Sequence, residues 1–398
     1  MNGKGRAISI LMAIFLMIGA LTGCQTEETK TETGSDKEAI KIAVICDAAG
    51  QNDNGYNQSA VKGAEKAAAD LGAEYKIVEP TTGVPAALET LAEDGYDIIF
   101  NLVYDFEALI QGVGGAKPIA ETYPDTTFVI FNDNPNLAED GSTLHDNVIS
   151  VLFDVHEASY LAGALATQVN EHSSLLFPAD KYEFTAPDAG GRAIGFVGGT
   201  NSNGITVFSY GFIEGINYVA AELEVEYEYY AKYDAGFADP ATGSSIAGTF
   251  YNQGANVVYS VAGGVGDGVA SKAAEEKKLA IQVDANKDAQ QPGYILTSVI
   301  KNTEVPVYEL TKAGTEGNLG EQDNLLTFSL GTGATTITDL AEISKHIADT
   351  DEAREKWEEI KAYVEDIEQK ITSGEIKVTN AQIGEELDSS AVANVVIK

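Results

Sequence analysis

Short apolar runs alternate along the chain with segments whose apolar positions recur every three or four residues, the rhythm of strand followed by helix. IKIAVIC (40–46) precedes a helical pattern over 57–71, then come AEYKIVE (73–79), a helix near 84–93, DIIFNLV (97–103), a helix near 105–121 and TTFVIF (126–131). The rhythm restarts with RAIGFVGG (192–199), a helix near 203–222, VEYEYYA (225–231), a helix near 242–253, NVVYSVAGG (256–264), a helix near 267–277 and LAIQVD (279–284). Strands that are apolar along their whole length and separated by helices are paired in parallel and covered on both faces. The pattern therefore predicts an α/β chain of two lobes, each a doubly wound parallel sheet with helices on both faces. Ligands of such sheets lie beyond the strand C-termini, beside helix N-termini, so the site is sought there, in the cleft between the lobes.

SYLAGALATQV (159–169) and YILTSVIKN (294–302) are the expected seams between lobes, with a further crossing near 330–345. The division that follows is an N-terminal lobe over 39–157, a C-terminal lobe over 158–296, a return to the N-terminal lobe over 297–340, and the C-terminal lobe with a terminal helix over 341–398. HSSLLFPADKYEFTAPDAGG (172–191) has little periodicity and reads as a surface excursion. Trp357, Ile360, Val364, Ile367 and Ile371 are spaced by three or four before Gly374, which predicts a long amphipathic helix packed on a lobe.

The first 24 residues do not belong to this pattern. Lys4 and Arg6 precede an apolar run from Ala7 to Ala20 and then small residues, the layout of a secretory signal. Its apolar core of roughly 14 residues falls short of the ~20 that span a bilayer. Leu21, Thr22, Gly23 and Cys24 resemble the bacterial lipobox, which makes Cys24 the lipidated N-terminus of the mature chain and anchors it to the membrane. QTEETKTETGSDKE (25–38) holds no large apolar residue and reads as a flexible tether. Beyond Cys24 only Cys46 remains, so the mature chain has no intramolecular disulfide and is held by packing; 44% hydrophobic content supplies the core.

The formal charge of -36, from 61 acidic and 25 basic residues, sets the chain against nucleic acid. Loss of the signal segment leaves it more negative still. The turn GQNDNGYN (50–57) has the glycines of a phosphate loop, but Tyr56 and Asn57 stand where Lys and Ser or Thr belong. Read as a calcium loop it ends on Val61 in place of the required Glu. GGVGDG (263–268) lacks the third glycine of a dinucleotide fingerprint, and His145, His156, His172 and His346 have no metal-ligand spacing. No GxSxG elbow is present. The reading is of a binding protein with no cofactor, not an enzyme.

Polar and aromatic residues at strand ends remain. Asp47 follows the first strand, Tyr56 and Asn57 open the next helix, Asp284 ends LAIQVD and Lys301 ends TSVIK. Carboxylates accept from vicinal hydroxyls, an ammonium donates to hydroxyl or ring oxygens, and an aromatic face stacks on a planar ring. Together they suit a neutral, hydroxylated, partly aromatic solute.

DAAGQNDNGYNQSAVKGAE, DVHEASYLAGALA, IGFVGG with VFSYGFIEG, VAGGVGDGV, QVDAN, LTSVIKN and ITSGEIKV occur in order over about 40–380. In these motifs the chain resembles the basic membrane protein family of bacterial lipoproteins, substrate-binding components of ABC importers that include purine nucleoside receptors. The resemblance implies a two-lobed periplasmic-binding-protein type I fold that closes on a nucleoside, with a purine expected, and delivers it to a membrane permease. It implies a monomer on the extracytoplasmic face of the membrane. Tyr56 would take the place of the family's Phe on one face of the base and Phe208 would cover the other. Asn57 and Asp47 would bind polar edges, Asp284 and Lys301 the ribose hydroxyls, and the turn from Gly264 to Gly266 would let backbone approach. Asp105 is the candidate for reading the base, although the stretch after it is longer than the family's. Phe212 is expected in the core. A sugar or other small-metabolite receptor of the same fold, a ligand sensor and a nucleoside-processing enzyme are the alternatives.

Overall fold

The computed structural model describes residues 39–398; the signal segment, Cys24 and the tether lie outside the described residues. β1 (Lys41–Ile45) is buried from Ile42 onward, because its sheet is covered on both faces. It leads through the GQNDNG turn into α1 (Tyr56–Leu71), whose inward stripe is Ala60, Val61, Gly63, Ala64 and Ala67. The alternation continues with β2 (Glu74–Val78), α2 (Val84–Glu93) and β3 (Ile98–Asn101). The single helix expected over 105–121 is instead two isolated turns, α3 (Glu107–Ile110) and α4 (Ile119–Thr122). Gly112, Gly114 and Gly115 between them all take positive φ, which ends a right-handed helix. β4 (Thr127–Phe131) and β5 (Val148–Phe153) follow, all paired in parallel.

After Phe153 the chain enters a second sheet through α5 (Val155–Glu171) and α6 (Ser173–Leu176). That unit comprises β6 (Ala193–Gly198), α7 (Asn203–Glu222), β7 (Tyr227–Lys232), α8 (Pro240–Asn252), β8 (Val257–Val261), α9 (Gly264–Glu275), β9 (Leu279–Asp284) and β10 (Ile295–Lys301). α10 (Glu304–Glu316) packs back on α1, and β11 (Leu325–Phe328) joins the first sheet beside β5. β12 (Thr335–Ile337) pairs antiparallel with β10; α11 (Ala341–Ser344), α12 (Asp351–Thr372) and β13 (Val395–Ile397), which pairs with β7, complete the second unit. The sheet orders are β11-β5-β4-β3-β1-β2 and β12-β10-β9-β8-β6-β7-β13.

Two expectations are corrected here. The return to the first sheet does not begin at 297, because β10 is in parallel register with β9 as far as Ile300 opposite Asp284, and it ends before Thr335. The segment 172–191 is not merely a surface excursion: Phe177 and Tyr182 are buried, with ring centroids 4.7 Å apart, and Tyr182 stacks on Phe184 at 5.5 Å. Its aromatics sit at irregular spacing, so no period announces them.

α5 and α7 touch backbone to backbone. A Cβ on Gly215 would stand 2.0 Å from the Tyr160 carbonyl oxygen, and one on Gly211 2.1 Å from that of His156. Phe212, between them, is fully buried as expected. The chain passes between the sheets at 154, at 302–303 and at 329–334, and these passages are tied together. Asp154 N–H donates to the Phe328 carbonyl (2.8 Å), Leu330 N–H to Glu157 Oε2 (3.1 Å), and Asn302 N–H to the Ala334 carbonyl (2.8 Å).

Candidate functional site

The turn after β1 is organised by carboxylates. Asp53 Oδ1 accepts from the backbone N–H of Gly55 (2.9 Å) and Gln58 (3.0 Å), and Oδ2 from that of Asn57 (3.0 Å), which satisfies three of the open donors at the start of α1. Asn57 is fully buried and its amide is consumed by the turn: Nδ2 donates to Asp47 Oδ1 (2.6 Å) and Asp53 Oδ2 (3.2 Å), and Oδ1 accepts from Asp47 N–H (3.0 Å). Asn57 thus holds Asp47 in place from behind the wall of the site.

Tyr56 exposes part of its ring to a cavity of about 680 Å³, within the roughly 300–1,000 Å³ of small-molecule sites. Its phenol, the group added relative to the family's Phe, has partners inside the protein: it donates to the Leu102 carbonyl (3.4 Å) and accepts from Asn132 Nδ2 (2.8 Å). Burial raises the phenol well above its ordinary pKa.

Across the cavity, β9 and β10 end side by side. Asp284 takes φ +74° there, and no hydrogen-bond or ion-pair partner for its carboxylate is found among the described residues. Burial raises that carboxyl, while Lys301 and Lys287 act to lower it. Lys301 is 7% exposed and its ammonium is likewise without a hydrogen bond or ion pair among the described residues. It lies 5.1 Å from the ring centre of Tyr56, 5.5 Å from that of Phe153 and 5.9 Å from that of Phe208. Burial lowers the ammonium to about 8, with Asp284 opposing. A buried charge without a partner is costly unless something else is to pair with it.

Of the residues singled out in the sequence, Asp47, Tyr56, Phe208, Gly264, Asp284 and Lys301 line this one cavity. Asn57, Asp105 and Gly266 do not. Asp105 is exposed on the loop after β3; its neighbour Tyr104 lines the cavity instead, and a Cβ on Gly204 of α7 would stand 3.1 Å from the Tyr104 hydroxyl. Gly266 faces the interior, where a Cβ would stand 2.7 Å from Ser260 Oγ. Gly264 N–H is already bonded to the Phe237 carbonyl (2.8 Å), so it offers close approach and no free donor.

Asp53, Tyr104, Asn132, Phe237 and Lys287 also line the cavity and were not singled out. Asn132 directly follows TTFVIF and takes φ +69°, so the strand-end rule that selects Asp47 and Asp284 would have reached it. Tyr104 and Phe237 stand on irregular loops, where no period marks them.

Two doubly wound sheets joined by three passages, with a charged and aromatic cavity lined from both, define a two-lobed solute-binding protein. The chain belongs to the Bmp family, whose profile, described as ABC transporter substrate-binding protein PnrA-like, matches residues 39–382. It is 26% identical to the ABC transporter nucleoside-binding protein BmpA of Lactococcus lactis subsp. cremoris, over 83% of this chain and 90% of that protein. It is 27% identical to an uncharacterized lipoprotein of Pyrococcus abyssi, over 98% of this chain and 95% of that protein. Among solved structures, an ABC transporter system solute-binding protein from Aeropyrum pernix K1 aligns with a TM-score of 0.66 at 25% identity, covering 89% of this chain and 95% of that one. The fold is of the type I periplasmic-binding-protein kind, and the family is one of ABC-transporter solute-binding proteins, not of enzymes.

Proposed function

We propose that this chain is the lipid-anchored, extracytoplasmic receptor of an ABC importer, and that it closes its two lobes on a nucleoside, with a purine nucleoside preferred. The observation that carries the reading is that Asp284 and Lys301, neither with a hydrogen-bond or ion-pair partner among the described residues, share one cavity with the rings of Tyr56 and Phe208. In this reading the rings hold the base, Asp284 and Lys301 hold the ribose hydroxyls, and Asp47 takes a polar edge. The relative named as nucleoside-binding supports it, and so does the charge of -36, which disfavours a phosphorylated ligand. Contacts from both lobes stabilise the closed form, which a permease then recognises. Cys24 carries the lipid.

Mass spectrometry of the ligand retained by purified protein, followed by calorimetry with adenosine, guanosine, inosine, AMP and D-ribose, tests this. Retention of a nucleoside, and weaker binding of AMP than of adenosine, are expected. Binding of ribose with no nucleoside bound would make the chain a sugar receptor. The mass of the N-terminal peptide of membrane-extracted protein tests the anchor at Cys24.

A further inference from the structure

Lys287 stands in the loop after β9, three residues beyond Asp284. Its backbone N–H donates to Ser298 Oγ (3.0 Å), Ser298 Oγ–H donates to Asp288 Oδ1 (2.7 Å), and Asp288 N–H donates to Asn286 Oδ1 (3.1 Å), so the loop is fixed to β10 by a buried polar chain. The residue is 5% exposed and lines the cavity. Its ammonium has neither a hydrogen bond nor an ion pair among the described residues. The cavity thus holds two lysines, Lys287 and Lys301, whose charges both act on Asp284, yet neither is bonded to it.

The chemistry of that trio is specific. A carboxylate has two oxygens and only accepts; an ammonium only donates; a hydroxyl does both. A vicinal diol satisfies all three groups at once, each O–H donating to one carboxylate oxygen and each hydroxyl oxygen accepting from one lysine. A phosphate would use the lysines but would face Asp47, Asp53 and Asp284 in the same cavity. We propose that Lys287 is a second diol-reading residue, which together with Asp284 and Lys301 selects ligands bearing two adjacent hydroxyls and rejects those lacking one. The inference rests on the nucleoside reading for the ring attached to the diol, but the diol itself can be tested apart from it.

The test is calorimetry on ligand-stripped full chain, wild type, Lys287→Met and Lys287→Gln, with folding checked by melting temperature. The ligands are inosine, its 2′-deoxy and 3′-deoxy forms, and D-ribose. A hydrogen bond from a charged donor corresponds to roughly ten- to a hundredfold in affinity, the loss expected for inosine in Lys287→Met. Both deoxy forms are expected to bind wild type more weakly by a similar factor, and the one that lacks the hydroxyl paired with Lys287 to lose less than about threefold more in the variant, because that partner is already gone. Equal binding by wild type and both variants, or the same loss for all three nucleosides, overturns the role of Lys287. If no nucleoside binds, the nucleoside reading falls; ribose binding that depends on Lys287 then still upholds the diol, and absence of binding by both overturns both.

Discussion

Lys301→Met should make the ligand-free protein more stable at neutral pH while removing a proposed ligand contact. The ammonium is buried, and its pKa is lowered from 10.5 to about 8 with the attraction of Asp284 already included. At about 1.4 kcal/mol per pH unit, keeping that lysine charged in the folded state costs roughly 3 kcal/mol. Contact with the rings of Tyr56, Phe153 and Phe208 returns part of it, about 0.5–1 kcal/mol for each well-placed ring. A net gain of about 1–2 kcal/mol for Lys301→Met at pH 7 is therefore expected. The sign with pH is fixed by linkage. Between pH 8 and 10.5 the unfolded chain holds a proton that the folded chain has released, so wild-type stability rises through this window. The variant has no such group, and its advantage should shrink toward zero by pH 10. Urea denaturation of protein refolded from guanidinium to strip its ligand, at pH 7 and pH 10, measures both. A variant less stable than wild type at pH 7, or an advantage that does not change with pH, would refute the account of Lys301 as a charge held ready for a ligand.

Tyr56→Phe removes a phenol bonded to Leu102 and Asn132 but keeps the ring, so about 1 kcal/mol of stability should be lost in urea and nucleoside affinity should stay within about threefold by calorimetry; a larger loss of affinity would mean that the hydroxyl touches ligand. Gly215→Ala forces a Cβ against the Tyr160 carbonyl and should destabilise the protein by about 3 kcal/mol in the same assay, by parting α5 from α7. The Asp154 carboxyl is raised from 3.8 to about 7, first by burial and then by Glu157. The folded chain holds that proton where the unfolded chain releases it, so stability falls as pH rises between these values. Asp154→Asn should thus be more stable than wild type by about 1–3 kcal/mol at pH 8, with the difference vanishing toward pH 4, as read by denaturation at both.

The helices and strands legible in the sequence are those with one dominant period. α2 and α7 fall where their patterns begin and end, and the buried stripe of α12 is Trp357, Ile360, Val364, Ile367 and Ile371. What escaped is structure decided at long range. β11 and β12 are short strands at sheet edges, and nothing in four or three residues says that one joins β5 and the other β10. Phe177 and Tyr182 are buried by one another and by Tyr294, not by a face repeated along a helix. At the site, Asp47, Asp284 and Lys301 are legible as strand ends and Tyr56 as the start of the helix after one, positions that follow from the doubly wound topology, whereas Phe208 and Gly264 are legible only through the family resemblance. Asn57 has the right residue type at the start of α1, but the turn spends its amide on Asp47 and Asp53, a use visible only once the turn is closed. Tyr104 and Lys287 reach the cavity from irregular loops, whose course depends on the packing beneath them.

The proposed ligand contacts and the passage between lobes share one short segment, which would let occupancy act on shape. Lys301 is the last residue of β10 and Asn302 and Thr303 carry the chain across. Asn302 Oδ1 accepts from Ser59 Oγ (3.0 Å), and Thr303 Oγ1 donates to the Tyr56 carbonyl (2.8 Å), both on α1. Rotation about this passage therefore changes the separation of Asp284 and Phe208 from Tyr56, while Lys301 stays near the pivot. A ligand held only by Asp284 and Lys301 has the same contacts in either arrangement and gives no preference between them. A ligand that also fills the space against Tyr56 gains contacts only when the lobes approach. On the proposed nucleoside reading, the ring of the ligand, more than its hydroxyls, would drive closure, and the hydroxyls would decide which ligand stays long enough to do so.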